Sequence, residues 1–140
     1  MLGVPFAFQS FFRQVPPMNS SPDSWLPQLF ASIDARDAAA FCEFLTEDAV
    51  FRYGNADPVS GRDAIRSFVG GFFEAIAGLE HRIERHWSEP DAVICHGTVS
   101  YTRHDRSTLT VPFANILKLG DNRVRDYLIF VDASALFAPG

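Results

Sequence analysis

The residues best suited to chemistry lie at the end of one predicted strand. Residues 92–105 read Ala-Val-Ile-Cys-His-Gly-Thr-Val-Ser-Tyr-Thr-Arg-His-Asp, and side chains alternate across a strand. Val93, Cys95, Gly97, Val99, Tyr101, Arg103 and Asp105 therefore share one face, apolar where it begins and charged where it ends. An Arg and an Asp on one face after a core-type run fit a charged pair at the rim or floor of a pocket. They also fit a strand that leaves the sheet with its last residues solvated, because charged side chains are mostly exposed. A second carboxylate, Asp126, falls between Val124 and Leu128 on its own alternating face. A carboxylate among apolar neighbours is a candidate pocket group.

Other polar residues carry weaker signals. His81 and Arg85 suit a pocket mouth, and solvated strand positions explain them equally well. Asn115, between Phe113 and Leu117 on an alternating face, is a minor pocket candidate. No histidine pair has metal-ligand spacing on a helix, so no metal site is expected. Cys42 and Cys95 sit among apolar neighbours and read as buried free thiols, which makes a reducing cytoplasm the default compartment. Neither they nor any Ser has an elbow motif or an evident base partner. Gly70-Gly71 lacks the surroundings of a phosphate loop, and no cofactor is implied.

Composition sets the frame for these groups. A chain of 140 residues suffices for one domain with one core. Its 14 Phe suggest a wide cavity or a thick sheet–helix interface. A net charge of −5 without a basic patch argues against a nucleic-acid partner. No apolar run reaches the length of a membrane span.

The elements that must position the candidate residues follow in order. Met1–Ser20 carries Pro5, Pro16 and Pro17 and makes a poor signal peptide, so residues 1–21 read as a loosely attached arm. A first helix starts at Ser20–Asp23 and repeats Leu26, Leu29, Phe30 and Ile33 at helical spacing, with Pro27 placed in its first turn. Asp34 or Asp37 caps a second helix that reaches about Leu45. Ala49–Tyr53 is a short strand before the turn Gly54-Asn55-Ala56-Asp57-Pro58. Gly61 opens a third helix with the inner stripe Ile65, Phe68, Val69, Phe72 and Ile76, ended by Gly78.

Everything after Leu79 reads as strand. Leu79–Trp87 places His81, Ile83, Arg85 and Trp87 on one side, and Ser107–Leu119 places Leu109, Val111, Phe113, Asn115 and Leu117 on one face. Pro112 marks an edge or a bulge. Gly120-Asp121-Asn122 turns into Arg123–Val131, where Val124, Asp126, Leu128 and Phe130 share a face. Residues 22–140 thus form one α+β domain. Its strongly curved, cone-like antiparallel (mixed) sheet carries three N-terminal helices on the concave face, with a pocket between.

Three segments carry a resemblance. Leu45-Thr46-Glu47-Asp48-Ala49-Val50-Phe51, Gly61-Arg62-Asp63-Ala64-Ile65 and Arg125-Asp126-Tyr127 resemble the SnoaL-like branch of the nuclear transport factor 2-like (cystatin-like) superfamily, over about Trp25 to Phe137. Within it, Tyr53-Gly54-Asn55, Arg103-His104-Asp105 and Asp126 are similar in order to the Tyr-x-Asn, Arg-x-Asp and Asp of limonene-epoxide-hydrolase-like enzymes. The resemblance implies Asp126 as the base that deprotonates water and Tyr53 and Asn55 as its holders. It implies Asp105 as the acid on the epoxide oxygen and Arg103 between the two carboxylates.

That chemistry is physically coherent. Opening an epoxide with water needs a base for the nucleophile and an acid for the leaving oxygen. Two carboxylates coupled through one Arg titrate as a unit and can share a single proton. Variants of the same expectation are proton transfer of the ketosteroid isomerase or polyketide cyclase kind and non-catalytic ligand binding or assembly, because one fold hosts many functions. The expected ligand is a small hydrophobic molecule. The resemblance also implies a homodimer, with the outer strand face of Ile94, Thr98, Ser100 and Thr102 as the candidate contact.

Overall fold

The computed structural model describes residues 21–137; the arm expected over 1–21 lies outside them except for Ser21. Helix α1 spans Pro22–Asp34, with the Ser21 hydroxyl accepting from the Asp23 N–H and Pro22 at the first helical position. Pro27 falls one turn later than the sequence suggested, inside the helix. It therefore removes one i→i−4 bond rather than occupying a position where none is made. Helix α2 is only Ala38–Cys42, capped by Asp37, whose carboxylate accepts from the Ala40 N–H. Leu45 belongs to the next strand, not to this helix. Helix α3 spans Arg62–Glu74, and Ile76 and Gly78 lie beyond its end.

Among the described residues, six strands form one curved, open sheet in the order β2-β1-β6-β5-β4-β3: β1 Leu45–Tyr53, β2 Val59–Ser60, β3 Gly78–Glu89, β4 Ala92–Thr102, β5 Thr108–Gly120 and β6 Arg123–Val131. Only β1 and β6 run parallel; the other pairs are antiparallel. The three helices cover one face, where Trp25, Leu29, Phe41, Ile65 and Tyr127 are fully buried. The expected α+β cone is what the chain forms. Pro112 lies inside the β4–β5 ladder, one residue past the last β5 position that β6 pairs, so it stands where β5 has lost one neighbour.

Two bulges decide which side chains enter the cone. In β3, Ile83 pairs with Gly97 and Arg85 with His96, leaving Glu84 as an extra residue. A Cβ at Gly97 would stand 1.8 Å from the Arg82 carbonyl oxygen, so this backbone approach requires glycine. His81 and Ile83 consequently face inward, while Arg85 and Trp87 turn outward. In β6, Lys118 pairs with Asp126 and Leu119 with Val124, so Arg125 is the extra residue. The bulge keeps Val124 buried and also buries Tyr127, which moves Asp126, Leu128 and Phe130 to the outer face. A one-residue shift reverses every later side chain, and an uninterrupted alternation had placed Asp126 inside.

Candidate functional site

The concave face of the sheet and the inner sides of α1 and α3 enclose an apolar cavity. About 580 Å³ of its space is unfilled by atoms, the open mouth included. The predominance of Phe, Val, Leu and Ile on its walls suits an apolar organic group. Phe68 and Phe72 of α3 stand on its wall, and Phe68 is 38% exposed. Three polar pairs, each with at least one member on the wall, interrupt the apolar lining.

The first pair joins the end of α1 to β3. The Asp34 carboxylate meets His81 Nδ1 at 2.7 Å and also accepts the His81 backbone N–H at 3.0 Å. A carboxylate only accepts, so Nδ1 carries a proton, and in the neutral ring Nε2 is the acceptor. The imidazole packs between Phe30 and Phe113, with ring centroids 4.9 and 5.2 Å away, and its side chain is 12% exposed. Two contacts from one carboxylate and two aromatic neighbours fix the ring's position and its tautomer.

The second pair is Tyr53 and Tyr101, whose hydroxyls lie 2.8 Å apart. Whichever hydroxyl donates to the other, one O–H remains for a ligand oxygen, and a hydrogen-bonded chain polarises its end. Burial pushes the Tyr53 phenol up, partly offset by its bond to Tyr101. Burial also pushes Tyr101 up, and the neighbouring Tyr53 adds to the rise. Both phenols therefore keep their protons at neutral pH. The third pair is Asn115 and Tyr127: Asn115 Nδ2 donates to the Tyr127 hydroxyl at 3.5 Å, while Asn115 Oδ1 is buried without a partner.

Of the five residues to which the resemblance gave catalytic roles, only Tyr53 lines this cavity. Asn55 is exposed in the turn after β1, where the Gly54 N–H bonds Ile129 and the Ala56 N–H bonds Tyr53. Strand β4 ends at Thr102, so Arg103 and Asp105 belong to a tight hairpin rather than to the strand face. Asp105 is exposed and accepts from both the backbone N–H and the hydroxyl of Ser107 at 2.9 and 2.6 Å, bonds that lower its pKa. Arg103 clasps the C-terminal segment instead. Its guanidinium donates to the carbonyls of Leu136 at 2.9 Å and Ala135 at 3.1 Å. Asp126 sits on the outer face beside Arg125 Nε at 3.2 Å. The Arg-coupled carboxylate pair is not assembled.

The residues that do converge were legible only in part. His81 and Asn115 stood as weaker candidates, and Tyr101 shared the inner face of β4 without being given a role. Asp34 was read as one of two possible helix caps. Because Asp37 makes the cap, a second Asp at the same junction was the available signal for another task. Tyr127 was hidden by the β6 bulge. Among the described residues, no cluster of three or more His, Cys, Asp or Glu comes together to hold a metal. Burial pushes the thiols of Cys42 and Cys95 up to about 11 and about 12, which leaves them poor nucleophiles.

A family model for the SnoaL-like domain matches residues 26–127. The chain belongs to the SnoaL-like family. Among curated proteins no sequence matches it. Solved structures similar to this SnoaL-like chain share its fold at low identity. One is a candidate SnoaL-like polyketide cyclase from Jannaschia sp. CCS1, with a TM-score of 0.73 and 19% identity over 91% of this chain and 99% of that one. Another is TerC co-crystallised with polyporic acid, with a TM-score of 0.69 and 18% identity over 79% and 91%. A third is the epoxide hydrolase/cyclase-like enzyme SalBIII, which acts in pyran ring formation in salinomycin, with a TM-score of 0.68 and 16% identity over 78% and 88%. No helix among the described residues is long and apolar enough to cross a membrane.

Proposed function

We propose that this SnoaL-like protein is a cofactor-independent enzyme that moves a proton on a small, largely apolar molecule carrying a carbonyl oxygen. The observation that carries the reading is the 2.7 Å contact between Asp34 and His81 Nδ1 in a cavity that also holds the Tyr53–Tyr101 hydroxyl pair. His81 Nε2 takes a proton from the carbon beside the carbonyl. The C–H electrons move into the carbon–carbon bond, and the oxygen accepts a stronger hydrogen bond from the tyrosine pair. Asp34 stabilises the imidazolium, which then returns its proton to the same or a conjugated carbon. A general base of this kind contributes about 10²–10⁴-fold. A fixed donor aimed at the developing oxyanion works best where apolar walls exclude water.

This is the isomerase- or cyclase-like form of the sequence expectation, with His81 in the role first given to a carboxylate. The epoxide-hydrolase form lacks support from the placement of Asp105 and Asp126. The test is α-hydrogen exchange of 2-tetralone in D₂O, followed by proton NMR. Exchange faster than buffer, lost in His81→Ala, supports the reading. Tight binding of the ketone without accelerated exchange would leave a ligand-binding protein. We also propose a homodimer through the outer sheet face around Ile94, Ser100 and Thr110. Sedimentation of wild type against Ile94→Glu tests it, a wild-type monomer being the contrary result.

A further inference from the structure

Asn115 makes a demand on the ligand that the proton-transfer chemistry does not use. Its side chain is 2% exposed, lies on the cavity wall and leaves Oδ1 without any partner. A buried amide oxygen without a hydrogen bond costs roughly 1–3 kcal/mol, so native cores seldom leave one. The neighbouring groups do not relieve it. The amide sits between Phe113 and Leu117 on the inner face of β5, opposite Cys95 and beside Ile129. The Tyr127 hydroxyl is its sole side-chain partner among the described residues, and that contact is long, at 3.5 Å. Rotating the amide would give Oδ1 to Tyr127 and strand Nδ2 instead, so the pair stays one partner short in either orientation. A hydroxyl, which both donates and accepts, satisfies both.

The position of Asn115 along the sheet adds a second constraint. In the β3–β4–β5 register, Leu79 pairs with Tyr101, His81 with Val99, Ile83 with Gly97, and Cys95 with Asn115. His81 therefore lies between the tyrosine pair and Asn115 along the cavity. Asn115 is four β4 positions beyond His81, roughly 13 Å along the backbone at the rise of a strand. A molecule whose carbonyl meets the tyrosines and whose reacting carbon meets His81 extends its remaining body toward Asn115, past Phe113.

We propose that Asn115 is a specificity-determining residue, selecting a hydroxylated, largely apolar ring ketone over the same ketone without the hydroxyl. This rests on the reading of the cavity as the proton-transfer site, but it concerns binding, so the two can fail separately. The test measures dissociation constants by titration calorimetry for 2-tetralone, its isomers hydroxylated at each aromatic position, and the matching methoxy compounds.

Wild type should bind at least one hydroxy isomer roughly tenfold more tightly than the parent, because a site built to bond a hydroxyl discriminates against its absence. The methoxy partner of that isomer should lose the advantage, which needs no variant. Asn115→Leu, of similar volume, should bring hydroxy and parent compounds within about twofold, and Asn115→Ser serves if the Leu variant does not fold. Equal affinities across the series in wild type, or a preference that survives in the variant, would overturn the assignment. So would failure of every compound to bind, which would sink the small-molecule reading with it. A preference for the hydroxy isomer without hydrogen exchange would uphold Asn115 and remove only the catalytic claim.

Discussion

The inner and outer faces of the sheet treat their polar groups in opposite ways. Inside the cone, His81, Tyr53, Tyr101 and Asn115 stand on an apolar wall, with Asp34 holding His81 from the end of α1, and each is fixed by a short contact or left one partner short. Outside it, Asp126 pairs with the exposed Arg125, and Asp105 serves its own turn through Ser107. Arg103, at the hairpin, spends its donors on backbone carbonyls. Outside the cone each charged group is thus tied to a neighbour or to its own turn, while the cavity wall carries the uncharged hydroxyls and amide of Tyr53, Tyr101 and Asn115 together with His81. The difference shows that a charged triplet in sequence is a poor guide to a pocket. A neutral His or Tyr held by one neighbour costs far less to bury than an ionised carboxylate.

The contrast breaks most sharply at His81. Replacing it with Ala should lower 2-tetralone exchange by about 10²–10⁴-fold in a chain that is less stable but still folded by circular dichroism at the assay temperature. Loss of activity together with loss of the fold would mean that the imidazole is a core residue instead. Asp34→Asn should weaken exchange less than His81→Ala does, since it alters the tautomer and leaves the ring in place.

Arg103 should matter to stability and hardly to chemistry. Arg103→Met frees the carbonyls of Ala135 and Leu136, and urea unfolding should show a loss of roughly 1–3 kcal/mol, as for charged hydrogen bonds generally. Exchange per folded molecule should persist. Collapse of exchange at unchanged stability would return Arg103 to the catalytic site.

The tyrosines sharpen the comparison through pH. Burial raises the pKa of Tyr53, Tyr101 and Tyr127 in the folded chain above the ordinary phenol value. Above pH 10 or so the unfolded chain releases phenolic protons that the folded chain retains, so stability should be full below that pH and fall as it rises. Ultraviolet titration of the phenolates checks this: normal ionisation of all three Tyr in the folded state would contradict it. The smallest effect is expected at Asp105. Asp105→Asn should leave exchange within about twofold, as for a surface substitution, and a large loss would revive the carboxylate-pair mechanism.

Much of the architecture was legible because periodicity reports layers. The apolar stripes of α1 and α3 and the alternation of β4 and β5 survive in the structure. What misled was register. Nothing in Arg-Val-Arg-Asp-Tyr announces that Arg125 is an extra residue, yet that residue sends Asp126 outward and Tyr127 inward. The Gly97 contact with Arg82 is the physical mark of the β3 bulge, visible only once two strands are paired. Asp34 and His81 lie far apart in the chain, and only the packing of α1 on β3 unites them.

The measurement that tests the account most directly is 2-tetralone exchange by wild type, His81→Ala and Asp126→Asn side by side. The account predicts exchange well above buffer in wild type, its loss in His81→Ala and its retention within about twofold in Asp126→Asn. The reverse pattern, with Asp126→Asn inactive and His81→Ala active, would contradict it.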